Sequence, residues 1–196
     1  MTRRILILQG HPDATLPHLG HALADAYAEG AAAAGHEVRR IDVAALDVPL
    51  LRSAEDWEHG TLPASLVDAQ AAIEWCEHLV ILFPLWLGDM PALLKAFLEQ
   101  VARPGFAFER GTQASPFAEK RLRGRSARVV VTMGMPALVY KVVYRAHSVR
   151  ALERNVLGFI GFAPVRETLL GGVAQADAAR VAGWLTEMRR FGRAAG

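Results

Sequence analysis

Apolar residues gather along this chain into short unbroken runs, separated by stretches with the composition of helices. Ile5 to Leu8 is the first run, and four aliphatic residues in a row suit a strand covered on both faces of a sheet. It breaks at Gly10-His11-Pro12-Asp13. From about Pro17 to Ala34 the chain is rich in Ala and Leu, a helix that Gly35 is well placed to stop. Glu37 to Asp42 alternates as a short strand does, and Val43 to Ala64, with Pro49, Gly60 and Pro63, reads as a loop. A helix over about 64–77 then leads into a second buried run, Leu79 to Phe83, which stops at Pro84.

The second half repeats the theme. Pro91, a favoured first helical residue, opens a helix to Val101, and an irregular excursion follows from Ala102 to Arg125. Ala127 to Thr132 is the next apolar strand, with helical segments from about Ala137. Val165 to Leu169 is the last strand. The last helix, over 177–191, places Val181, Leu185 and Met188 on one face. Five strands alternating with helices call for a parallel sheet with helices on both faces. The first and third strands are the most apolar and belong at its centre, which favours the order 2-1-3-4-5 and a switch point between strands 1 and 3. Ligands of such sheets bind beyond the carboxyl ends of the strands at that point. The loops there are Gly10 to His18, Pro84 to Met90 and Met133 to Val139.

Composition narrows the class without adding chemistry. A chain of 196 residues with 52% hydrophobic and 21% charged residues is expected to be one soluble domain, 1–196. A net charge of +2 is too small to argue for nucleic acid. Cys76 has no second cysteine to pair with, which fits a reducing, cytoplasmic setting. The apolar run near the N-terminus is too short for a secretory signal, and no stretch approaches the ~18 apolar residues of a membrane span.

The three loops carry the candidate chemistry. "GHPDATLPHLGHA" joins a strand to a helix N-terminus, a ready anion site, with His11, Thr15 and His18 as side-chain donors. It holds neither GxGxxG nor GxxxxGK[ST], so neither a Rossmann fingerprint nor a P-loop is present. In "FPLWLGDMPALLKAF", Trp86 and Leu87 at the mouth of a sheet should cover something flat and apolar, and Gly88 lets backbone come close. In "TMGMPALVY", the backbone around Gly134 suits the polar edge of a ring system, with Tyr140 closing the stretch and His147 about two turns on if the helix continues.

Taken together, "ILILQGHPD", "HLVILFPLWLGDMPALLKAFLEQV", "PGFAF" and "VVVTMGMPALVY…AHS" resemble the flavodoxin-like NAD(P)H:quinone oxidoreductase family of the DT-diaphorase type, over roughly residues 3 to 170. The resemblance implies a flavin, FMN or FAD, with NAD(P)H as co-substrate and a quinone-like acceptor reduced by two electrons in ping-pong fashion. It implies His11, Thr15, Pro17 and His18 near the flavin phosphate. Pro84, Leu85, Trp86, Leu87 and Gly88 would lie along the ribityl chain and ring, with Thr132, Met133, Gly134 and Met135 at the pyrimidine side. It further implies a Tyr and His pair stabilising negative charge on the flavin, for which Tyr140 and His147 are the nearest candidates. Their spacing is one residue longer than the family's, and Tyr144 competes. Leu87 replaces an aromatic residue, which leaves substrate range and flavin identity open. A homodimer is implied too, with the Ala102 to Arg125 excursion and Val139, Val142 and Val143 as interface candidates.

Other readings fit less well. "GHPD" also resembles zinc-dependent sugar deacetylases, but Ala14 and Thr15 follow where an acidic ligand is needed. One-electron carrier flavodoxins are usually acidic and shorter. A non-catalytic partner subunit, such as the ancillary flavodoxin-like subunits of potassium efflux systems, is the remaining alternative. Lys120, Arg121, Arg123, Arg125 and Arg128 crowd into nine positions; a solvated loop is the favoured reading there, and an anion site the other.

Overall fold

The computed structural model describes residues 1–109 and 119–196. Five parallel strands, β1 (Arg4–Gln9), β2 (Glu37–Asp42), β3 (His78–Pro84), β4 (Ser126–Met133) and β5 (Val165–Gly171), lie in the order β2-β1-β3-β4-β5. That is the order expected from the two most apolar runs. β1, β3 and β4 are buried almost throughout, whereas β2 and β5 are edges whose residues stay partly exposed. The register pairs Leu8 with Ile41 on one side and with Ile81 on the other, which brings the ends of β1 and β3 level.

Period-two alternation splits the core into two layers. Ile5, Ile7, Val80, Leu82 and Val130 face Leu23 and Tyr27 of α1 (Leu19–Ala33) and Met188 of α8 (Ala178–Ala194). Leu6, Leu8, Ile81, Phe83, Val129 and Val131 face the other layer. There they meet Ile73 of α3 (Val67–Trp75), Phe97 of α4 (Ala92–Val101) and Tyr140 of α5 (Ala137–Val142). In the first layer α1 and α8 approach so closely that a glycine sits on each at the crossing. A Cβ at Gly192 would stand 2.8 Å from the Ala31 amide nitrogen and nearer still to the Tyr27 carbonyl oxygen. One at Gly30 would meet the backbone of Arg189 in the same way.

Two stretches differ from the sequence reading. The 43–64 segment holds a short helix, α2 (Ala54–His59), whose N-terminus is capped by Ser53 accepting the Asp56 amide at 3.1 Å. α2 buries no residue, so it leaves no apolar periodicity to read. The helix that begins at Ala137 does not run on to His147. It ends at Val142, Arg145 and Ala146 take left-handed conformations (φ 53° and 49°), and α6 (His147–Ala151) starts afresh. α6 continues as a π-helical segment, Leu152–Leu157, and a last turn, α7 (Gly158–Ile160).

Candidate functional site

The carboxyl ends of β1, β3 and β4 present their three loops side by side. Gly10 donates its amide to the Leu82 carbonyl at 2.7 Å, and Leu85 donates to the Thr132 carbonyl at 2.8 Å, so each loop is tied to its neighbour. The approach is close at Gly10, where a Cβ would stand 2.6 Å from Leu94 Cδ2 and displace that side chain. The edge of His11 meets the Trp86 indole with ring centroids 5.7 Å apart, which closes the first loop against the second.

In the first loop His11 is 9% exposed and stacks on His18, 3.7 Å between centroids. The Asp13 amide donates to His11 Nδ1 at 3.1 Å, so the neutral ring carries its proton on Nε2. Burial, reinforced by the neighbouring His18, pushes the His11 pKa below its ordinary value and favours the neutral ring. Asp13 organises the rest. Its carboxylate accepts the Thr15 amide (2.8 Å), the Thr15 hydroxyl (2.6 Å) and His18 Nε2 (2.9 Å). These hydrogen bonds, those from Thr15 foremost, hold the Asp13 carboxyl well below the usual carboxylate range. Thr15 and His18 are therefore engaged with Asp13, and Pro17 leads into His18, the N-cap of α1. The amides of Leu16, Leu19 and Gly20 have no acceptor among the described residues, which leaves a cluster of free N–H groups at the positive end of α1. Beneath them Gln9 is buried; its Oε1 accepts the His11 amide at 3.1 Å, and its Nε2 has no partner.

The second loop turns tightly. Trp86 and Asp89 exchange amide-to-carbonyl hydrogen bonds of 2.9 and 3.0 Å across Leu87 (φ 48°) and Gly88 (φ 84°), the two left-handed residues of a type I′ turn. Pro84 and Leu85 end the strand. Trp86 is 50% exposed and Leu87 projects wholly into solvent, an apolar surface with nothing of this chain over it. In the third loop Met133 turns its side chain into the core and offers only backbone. Thr132 and Met135 are half-buried, Gly134 is exposed, and the Gly134 and Met135 amides lack acceptors among the described residues.

Tyr140 and His147 lie on two separate helices, α5 and α6. Tyr140 is 2% exposed and its hydroxyl shares a 2.6 Å hydrogen bond with Ser148. The break at Arg145 and Ala146 sets His147 on the surface, and Tyr144 is exposed beside it. Two polar residues of the site escaped the sequence reading as ligands. Asp13 has the composition of an ordinary turn residue. Gln9 closes an aliphatic run, and that one polar residue at the end of a buried strand was the available signal.

The donors fit a phosphate-bearing, flat aromatic cofactor such as a flavin. Free amides and the His11 Nε2–H suit an anion at α1, the indole of Trp86 offers an apolar wall, and unpaired amides of the third loop suit a heteroaromatic edge. Comparisons with known proteins agree with the fold. Residues 3–190 match a family model described as a flavodoxin-like fold. The chain is 24% identical over 184 residues to rat NAD(P)H dehydrogenase [quinone] 1, covering 82% of this chain and 65% of that protein. It is 32% identical over 114 residues to an FMN-dependent NADH:quinone oxidoreductase 1 of Jannaschia sp. (strain CCS1), covering 58% and 54%. The chain thus spans between about half and two thirds of these relatives' length. A solved NAD(P)H:quinone oxidoreductase from Methanothermobacter marburgensis superposes with a TM-score of 0.81 at 25% identity, over 98% of each chain. With its strand order, its switch-point loops and a family match over nearly its whole length, this chain belongs to the flavodoxin-like fold family.

Proposed function

We propose that this chain is an FMN-dependent oxidoreductase that passes two electrons from NADH or NADPH to quinone-like acceptors. The observation that carries the reading is the open face beside Trp86, bounded on one side by the free amides at α1 and on the other by those of Gly134 and Met135. Relatives whose names specify FMN and quinone support it, and favour FMN over FAD. When bound, a flavin supplies hydride acceptance and donation, chemistry that no side chain provides. The protein binds and orients. The Leu16, Leu19 and Gly20 amides with His11 Nε2–H hold the phosphate, while Asp13 keeps Thr15 and His18 in place behind it. Pro84 to Gly88 would flank the ring, and the Thr132 to Met135 backbone would meet its polar edge. His147 supplies a proton or positive charge from the surface, and Tyr140 acts through Ser148 as a positioning residue for the start of α6.

Donor and acceptor share the single space beside Trp86, so they should alternate and give parallel-line, ping-pong kinetics. The decisive experiment is visible absorbance of the purified protein, mass analysis of the released cofactor, and NADH and NADPH oxidation with a quinone. Failure to retain FMN or FAD on reconstitution ends the reading. A homodimer completes the proposal, with the exposed Val139, Val142 and Val143 at the interface. The other interface candidate, Ala102 to Arg125, includes residues 110–118, which lie outside the described residues. Light scattering that finds a monomer would count against this assembly.

A further inference from the structure

At the other end of the sheet, the amino ends of β1, β3, β4 and β5 open onto a separate cleft of about 370 Å³, within the size range of small-molecule sites. Strands of six to eight residues, rising ~3.3 Å per residue, put it roughly 20 Å or more from the loops described above. No flavin bound at those loops fills it. Two arginines line it together with Glu77 and Gly196. Arg3 and Arg166 stand around it, with Arg128 buried alongside. Arg128 is already answered: its Nε–H donates to a main-chain oxygen of Gly196 at 2.7 Å, its Nη1 to Thr168 Oγ1 at 2.6 Å, and its guanidinium lies over the Phe191 ring. Arg3 reaches only the Ala195 carbonyl (3.3 Å) and Ser126 Oγ (3.5 Å), and Arg166 has no hydrogen bond or ion pair among the described residues. Glu77, the carboxylate that lines the cleft, is occupied by the amide and guanidinium of Arg4.

The buried wall carries an unmet proton. His78 is 1% exposed, its Nδ1 lies 2.8 Å from Ser126 Oγ, and its Nε2 has no partner. Burial, with Arg128, Arg3 and Arg166 nearby, pushes its pKa down to about 3, so the ring is neutral near pH 7. Two arrangements follow. Either Ser126 donates to Nδ1 and an N–H stands free on Nε2, or Nδ1–H donates to Ser126 and the hydroxyl proton stands free. Nε2 is buried, so only the second turns a donor, the Ser126 hydroxyl, toward an incoming oxygen. The basic run at 120–128 resolves accordingly: Lys120, Arg121 and Arg125 donate to main-chain carbonyls, while Ser126 is delivered into the cleft with Arg128 beside it.

We propose that this cleft binds a phosphate-type oxyanion, gripped by the Arg3 and Arg166 guanidiniums with the Ser126–His78 pair donating from beneath. A tetrahedral anion has an oxygen for each donor, whereas a planar carboxylate offers two in one plane. The test is calorimetric titration of the FMN-reconstituted protein, freed of excess FMN, with inorganic phosphate and separately with glycerol phosphate. Chloride of matched ionic strength is the control. Wild-type protein should bind saturably, one anion per chain. Arg166→Ala and Arg3→Ala should each weaken binding at least tenfold, which is ~1.4 kcal/mol. Arg166 makes no hydrogen bond or ion pair among the described residues, so that variant should keep its circular dichroism spectrum and its flavin. Binding of both ligands marks a site for phosphate monoesters, and binding of phosphate alone marks one for the free ion; either supports the proposal. No saturable binding, or wild-type affinity in both arginine variants, overturns it.

Discussion

Two glycines of one helix should respond to the same substitution with opposite signs. Gly183 and Gly192 both lie in α8, and helix propensity alone favours alanine at each by ~0.8–1.0 kcal/mol. At Gly183 a Cβ meets nothing within 4 Å, so Gly183→Ala should realise most of that gain. At Gly192 the Cβ would fall 2.8 Å from the Ala31 nitrogen, 3.1 Å from the Tyr27 carbonyl carbon and closer again to its oxygen. All three are backbone atoms of α1, so no side chain can swing away; the helices must part. Overpacking of this kind costs ~1–3 kcal/mol, and with backbone on both sides the upper end applies. Subtracting the propensity gain leaves a net loss of about 2 kcal/mol. A chain of 196 residues unfolds with an entropy of about 0.4 kcal/mol per kelvin, so Gly192→Ala should melt ~5 °C below wild type and Gly183→Ala ~1–2 °C above it. Scanning calorimetry or thermal circular dichroism reads both. A Gly192→Ala protein melting at or above wild type would show that the α1–α8 crossing yields, and the close-contact argument would fall.

Three further outcomes follow from the site and the core. Because the folded-state pKa of His78 lies near 3 and an unfolded histidine titrates near 6.5, its contribution is intact above about pH 6.5 and is lost as pH falls toward 3. Urea unfolding at pH 7.5 and pH 5 should show about 2 kcal/mol of acid destabilisation that His78→Gln lacks; parallel losses in both proteins would exclude His78 as the source. Trp86→Ala removes the apolar wall, and loss of one aromatic contact worth ~0.5–1.5 kcal/mol should weaken FMN binding roughly two- to tenfold by fluorescence titration. Unchanged affinity would place the ring elsewhere. His147→Ala should slow flavin reduction by NADPH roughly tenfold to a hundredfold, about 1.4–2.7 kcal/mol, with FMN affinity little changed; an unaltered stopped-flow rate would remove His147 from the chemistry.

The parts of this protein legible in its sequence are those governed by burial. Continuous runs such as Ile5 to Leu8 and Leu79 to Phe83 announce strands covered on both faces, and their contrast with Glu37 to Asp42 was enough to order the sheet. The three loops followed, since topology puts whatever succeeds β1, β3 and β4 at one place. Less legible was anything decided by local hydrogen bonding. α2 has its Ser53 cap and only Trp57 leaning on the core, with no residue fully buried. The left-handed step at Arg145 and Ala146 uses two residues with no special preference for it, so nothing in "VVYRAHS" warns that the helix restarts there or that Tyr140 meets Ser148. Asp13 likewise looks like turn chemistry until its three donors are seen to converge.

The turn at Leu87 separates two kinds of selection. Its side chain touches solvent alone and its φ of 48° is one that branched and bulky residues hold reluctantly, so the fold draws no packing from it. Replacement by Asn or Gly would ease the backbone and leave the core untouched. Most positions near a ligand are anchored from behind, and altering them trades activity against folding. Here the residue nearest the open face is held by the Trp86–Asp89 hydrogen bonds and not by its own side chain. Leu87 is thus a position whose side chain can drift across a lineage, or be redesigned, at almost no expense in stability.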